Sequence, residues 1–95
     1  MTVIVFGSAN VDLVMPVSAF PIPGETVLTP SYDAVPGGKG ANQALAAKRA
    51  GVPVNFVGAV GKDHFADCAL SLLREESVGL AVSYTHLTLP TILLV

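Results

Sequence analysis

The chain has 95 residues and a net charge of −2, with five basic side chains and one cysteine. That length holds one small domain, burying only about 60–65% of its unfolded surface, and the charge leaves no basic footprint for nucleic acid. Cys68 has no intrachain disulfide partner, which suits a reducing, cytoplasmic setting. The start, MTVIVFGSAN, lacks the basic region of a signal peptide. No apolar run approaches the ~20 residues of a membrane helix.

Val3-Ile4-Val5-Phe6 is an unbroken β-branched and aromatic run. It does not alternate, so it predicts a strand of a parallel sheet covered on both faces. The next stretch, Val11 to Gly38, carries five prolines and no helical period. Pro21, Pro23 and Gly24 mark a turn. Pro16 and Pro30 confine the extended pieces to edge or irregular strands. Residues 11–35 therefore predict a small exposed β layer outside the main sheet.

An α/β rhythm follows. Ala41 to Ala50 is rich in the best helix former, and Gly51 suits its C-terminal end. Val54 to Val60 predicts a second buried strand, with Asn55 and Gly58 inside it. Asp63 predicts the N-cap of a second helix. Phe65, Cys68, Ala69, Leu72 and Leu73 recur there at i, i+3, i+4, i+7 and i+8, an amphipathic stripe for packing on a sheet. Strand–helix–strand–helix is the pattern of an α/β layered domain with right-handed crossovers. Two core strands and two helices are too few to close such a domain, so the chain reads as incomplete.

Three glycines and a lysine stand where the first helix must begin, in GGKGAN, Gly37 to Asn42. Glycine inside a helix is unfavourable by roughly 1 kcal/mol relative to alanine. It does allow close backbone approach and positive φ, and the amides of a helix N-terminus attract oxygen acceptors. Taken alone the motif is equally a tight turn into a helix. Asn10-Val11-Asp12 changes the weighing. It lies at the carboxyl end of the first strand, where open α/β sheets bind ligands. Its i and i+2 side chains present an amide and a carboxylate side by side. Carboxylate, amide, the Lys39 ammonium and backbone N–H groups together suit a polyhydroxylated ligand, because each hydroxyl both donates and accepts.

Phosphate-loop readings fit less well. Lys39 is followed by Gly40 rather than by Ser or Thr, and the third position after Gly38-x-Gly40 is Gln43. These spacings match neither a Walker A loop nor a dinucleotide fingerprint. His64, His86 and Cys68 have no metal-ligand spacing. Cys68 reads as a small core residue, Glu25 as a solvated turn residue, and Lys48, Arg49 and Lys62 as solvated surface charges.

The stretch GGKGANQALAAKRAGVPVNFVGAVG resembles the N-terminal signature of the ribokinase, or phosphofructokinase-B-type, family of carbohydrate kinases. The glycine pair, asparagine, small residue and two later glycines of that signature match Gly37, Gly38, Asn42, Ala44, Gly51 and Gly61. GSANVD and PIPGET are similar to the family's opening, and the unbroken GGKGANQA points to its ribokinase branch. The resemblance covers residues 2 to about 80, so that 1–80 reads as the N-terminal part of such a kinase domain. It implies an α/β fold, a ribokinase-like three-layer sandwich whose mostly parallel sheet carries a small β lid. It implies transfer of the ATP γ-phosphoryl group to the 5-hydroxyl of D-ribose, with Mg2+ and a monovalent cation, K+. A cytoplasmic homodimer joined through the lid is implied as well, with no nucleic-acid or membrane partner. The family's sugar contacts fall on Asn10, Val11, Asp12, Gly38, Lys39, Gly40, Ala41 and Asn42. An alternative is another sugar or nucleoside kinase of the family, or a non-catalytic sugar-binding fragment.

The family's general base lies in a Gly-Ala-Gly-Asp motif, which these 95 residues do not contain. The expectation is that this chain holds no catalytic base and no nucleotide or cation site, and is inactive alone. Residues 81–95, AVSYTHLTLPTILLV, carry no Asp, Glu, Lys or Arg. They depart from the family, reading either as the unrelated ending that read-through leaves on assembled sequences or as a divergent strand.

Overall fold

A computed structural model describes residues 1–85 and 92–94. Its elements are β1 (Val3–Phe6), β2 (Asn10–Val14), β3 (Asp33–Gly37), α1 (Lys39–Arg49), β4 (Val54–Gly61), α2 (Ala66–Glu75), β5 (Gly79–Thr85) and β6 (Ile92–Leu94). They form two three-stranded sheets, of order β1-β4-β5 and β3-β2-β6. The first is all parallel: Val3 pairs with Val54, and Asn55 with Gly79. In the second, β2 and β3 are antiparallel, while β2 and β6 are parallel. The small layer expected at 11–35 is therefore a β2–β3 ladder, with 15–32 forming an irregular exposed link. In that link Ile22 to Glu25 closes a turn, with Gly24 at φ 80. The Glu25 N–H donates to the Ile22 carbonyl at 3.0 Å, and Glu25 Oε1 accepts from the Ile22 N–H at 3.2 Å.

The core lies between the parallel sheet and both helices. Phe56, Leu70, Leu73 and Val60 are fully enclosed there, beside Ala44, Leu45, Val54 and Val78. Each large side chain of this set contributes about 1.5–3 kcal/mol on burial. Among the described residues the sheet is covered on one face only, which corrects the expectation for β1. Val3 and Val5 pack against the core, but Ile4 is 66% and Phe6 85% exposed. Both crossovers, β1–α1–β4 and β4–α2–β5, step in the same direction along the sheet. With a single hand of crossover they place both helices on one side.

Three further expectations are corrected. A third core strand, β5, follows α2, and residues 81–85 belong to it. The rest of the 81–95 tail includes 86–91 and 95, which lie outside the described residues. The buried stripe of α2 is Ala66, Ala69, Leu70 and Leu73, with Phe65, Cys68 and Leu72 half-buried at its margin. Asp63 does not occupy the N-cap position, which belongs to Phe65. Its Oδ1 instead accepts the Phe65 N–H at 3.0 Å, stabilising the turn just ahead of the helix.

Both helix ends are well sealed. Gly51, at φ 99 beyond α1, donates its N–H to the Lys48 carbonyl at 3.0 Å. After α2, the Ser77 N–H bonds to Arg74 O and the Val78 N–H to Leu73 O. This is a Schellman closure with a buried Val78–Leu73 side. Ser77 takes the left-handed position, at φ 60, where glycine is usual. Arg49, expected to be solvated, forms a bidentate pair with Glu76: Nε donates to Oε1 at 2.9 Å and Nη2 to Oε2 at 2.5 Å. This pair ties the last turn of α1 to the end of α2.

Candidate functional site

Asn10 and Asp12 share one face of β2, because successive residues of a strand point to opposite sides. The register sets Asn10 opposite Gly37 and Asp12 opposite Val35. Val11 points the other way and is completely buried. Asp12 and Gly37 are thus diagonal neighbours on one face. A Cβ on Gly37 would stand 2.5 Å from Asp12 Oδ2, 2.7 Å from Cγ and 2.8 Å from Oδ1. The Asp12 carboxylate therefore lies directly over the Gly37 Cα.

Gly38 follows as the N-cap of α1, at φ 98 and ψ 137, with no side chain to cap the helix. A Cβ there would meet Ser8 O at 2.8 Å and Asn10 N at 3.0 Å. Gly40 packs closer still, its missing Cβ lying 2.6 Å from Ser8 N. The helix start is pressed onto the 7–10 backbone that links the two sheets, and a hydrogen bond from the Ala41 N–H to Ser8 O at 2.9 Å fastens it. The first bond inside the helix runs from Asn42 N–H to Gly38 O. The N–H groups of Lys39 and Gly40 thus have no partner within the helix. They carry the positive end of the helix dipole.

All eight residues expected at the site fall within this one junction, in two roles. Asn10 and Asp12 are half-buried on the open face of β2, and Lys39 and Asn42 are exposed on the first turn of α1. These four offer polar side chains. Val11, Gly40 and Ala41 are buried and Gly38 is tightly packed, so these four shape the backbone that holds the others. Ala41 spends its amide on Ser8. Gly37, which the motif contains, comes up against Asp12 through the β2–β3 register, a proximity that local spacing does not reveal. Gly7 approaches the helix start in the same way: a Cβ on it would lie 3.0 Å from Gly40 Cα.

The β2–β3 ladder is backed by α2, which lies against β2 and β3 as well as β5. Cys68, read as a core residue, is half-buried there, and its thiol donates to the Ala34 carbonyl at 3.7 Å. Among the described residues no three His, Cys, Asp or Glu side chains converge as a metal-binding group. The Mg2+ and K+ expected of the family are therefore assigned to no residue here. No helix among the described residues is long and apolar enough to cross a membrane.

The sequence pattern of the pfkB family carbohydrate kinases matches residues 1–93. The chain is 50% identical over 74 residues to a ribokinase of Bacillus subtilis, covering 78% of this chain and 25% of that protein. It is 40% identical over 86 residues to a deoxyribokinase of Salmonella typhimurium, covering 90% of this chain and 28% of that one. Among solved structures, a ribokinase from Giardia lamblia superposes with a TM-score of 0.79 at 38% identity, covering 99% of this chain and 30% of that one. The chain thus spans about a quarter of the length of the curated relatives it matches. The match over nearly all of these residues, together with the α/β architecture shared with ribokinases, places the chain in the pfkB family of carbohydrate kinases.

Proposed function

We propose that this chain is the sugar-binding part of an ATP-dependent kinase that phosphorylates D-ribose at its 5-hydroxyl. The observation that carries the reading is the Asp12 carboxylate seated over Gly37 beside the start of α1. Asp12 accepts hydrogen bonds from sugar hydroxyls, and Asn10 and Asn42 both donate and accept. Lys39 donates from its ammonium group. Each charge-assisted bond contributes about 1.5–3 kcal/mol, and a site built to satisfy hydroxyls discriminates strongly against sugars that lack one. These residues bind and orient the sugar. Removal of the proton from the acceptor hydroxyl and stabilisation of the transferring phosphoryl group, the core of such a reaction, fall to residues outside this set. Mg2+ with ATP supplies the phosphoryl donor when bound in a whole kinase of this family. A lid-mediated homodimer is part of the same proposal, supported by β3 having only β2 as its partner among the described strands.

Ribose is preferred because identity is higher to the Bacillus ribokinase than to the Salmonella deoxyribokinase. Saturation-transfer NMR of the 95-residue chain with D-ribose, 2-deoxy-D-ribose and D-fructose tests the choice. Strongest transfer to D-ribose is the expected result. Equal transfer to all three, or a preference for either competitor, removes ribose as the substrate. A coupled assay of ribose-dependent ADP formation by the same chain is expected to stay at background.

A further inference from the structure

We infer that Gly37 is a positioning residue for Asp12: the absence of a side chain at 37 creates the seat in which the carboxylate rests. The inference deepens the sugar-binding reading and rests on it for its functional consequence, while the seat itself is a matter of geometry. The Gly37 backbone is not among those with positive φ, so conformational freedom is not what glycine supplies here. Space is. The three atoms that a Cβ would meet, at 2.5, 2.7 and 2.8 Å, are all of the Asp12 carboxyl group.

The neighbouring glycines show why this position differs. At Gly38 and Gly40 the obstructing atoms belong to the backbone of residues 7–10, which cannot move without parting the two sheets. At Gly37 the obstruction is the end of a side chain, which is free to rotate away. A methyl group at 37 therefore displaces the carboxylate and leaves the fold in place. Gly37 fixes the carboxylate on the open face of the β2–β3 ladder, adjoining the α1 N-terminus, without touching the sugar itself.

The test uses the 95-residue chain, its Gly37→Ala and Asp12→Ala variants and the double variant. The expected result is a shift of the Asp12 13Cγ resonance in Gly37→Ala with no ligand present. D-ribose affinity, read by calorimetry, falls about 10- to 100-fold in that variant, the loss of one charge-assisted hydrogen bond. In the Asp12→Ala background, Gly37→Ala has no further effect. An unchanged 13Cγ resonance overturns the inference, as does an equal loss of affinity in the Asp12→Ala background. Should Gly37→Ala unfold the chain, Asp12→Ala/Gly37→Ala is expected to restore folding, and its failure to do so also overturns the inference. If the unaltered chain takes up no ribose while the 13Cγ resonance still moves, the seat stands and the sugar-binding reading falls.

Discussion

At the scale of single residues, the site depends on glycines that differ in what their missing side chains spare. Gly40→Ala places a methyl group 2.6 Å from Ser8 N, against backbone that is pinned by the Ala41–Ser8 bond. Overpacking of this kind costs roughly 1–3 kcal/mol, so urea denaturation should show a midpoint lowered accordingly, whatever ligand is present. Asp12→Ala is the opposite case. The carboxylate is half-buried on an open face, so its removal should leave the denaturation midpoint nearly unchanged while weakening ribose binding about 10- to 100-fold. A large stability loss in Asp12→Ala would mark the carboxylate as structural. GGKGAN and Asn10-Val11-Asp12 were legible in the sequence because residue chemistry and local spacing define them. The seat at Gly37 was not, because it arises from a register between segments more than twenty residues apart.

At the scale of elements, the two helix ends invite separate tests. Ser77 holds a left-handed conformation at φ 60 in the closure of α2, which costs a non-glycine residue about 1–2 kcal/mol. Glycine relieves that strain but adds freedom to the unfolded chain. Ser77→Gly should therefore stabilise by about 0.5–1 kcal/mol in thermal or urea unfolding, and a destabilised variant would contradict the Schellman reading. The Arg49–Glu76 pair makes a pH prediction. Hydrogen bonding to Arg49 holds the Glu76 carboxyl below its ordinary value, and the same bond raises Arg49 above an already high one. The contribution of Glu76 is thus present above the ordinary carboxylate range and is lost as pH falls through its lowered pKa. Glu76→Gln should lower the melting temperature slightly near neutrality, with the difference disappearing in strong acid or at high salt. A pH-independent difference would point to lost packing. Most elements were legible from β-branched runs and alanine content, but two features were not. The stripe of α2 was misplaced by one helical step, because Phe65, Cys68 and Leu72 are as apolar as the residues buried beside them. The strand at Gly79–Thr85 stood only as one of two readings of the tail, because its pairing with β4, from Asn55↔Gly79 to Gly61↔Thr85, is non-local.

At the scale of the whole molecule, the parallel sheet has one face in the core and one open. A continuous hydrophobic run such as Val3–Phe6 does not say which residues have cover, since that depends on where the crossovers carry the helices. Here Ile4 and Phe6 stand on the open face, with Val57 beside Phe6 in the register. A radius of gyration of 15.3 Å, against about 12 Å for a compact domain of this length, reflects the one-sided sheet and the extended 15–32 link. Exposed apolar surface of this kind promotes association. Phe6→Lys should reduce both ANS fluorescence and self-association in sedimentation velocity, without altering the far-UV circular dichroism. No reduction would mean that association runs through another surface. The central claim is that a sugar sits where β2 meets the start of α1. Amide chemical-shift mapping of the 95-residue chain during a D-ribose titration tests it most directly. Saturable shifts centred on Asn10–Asp12 and Gly37–Asn42 are the expected result. Shifts centred instead on Ile4, Asn55 and Leu80, or no saturable shifts at all, would contradict it.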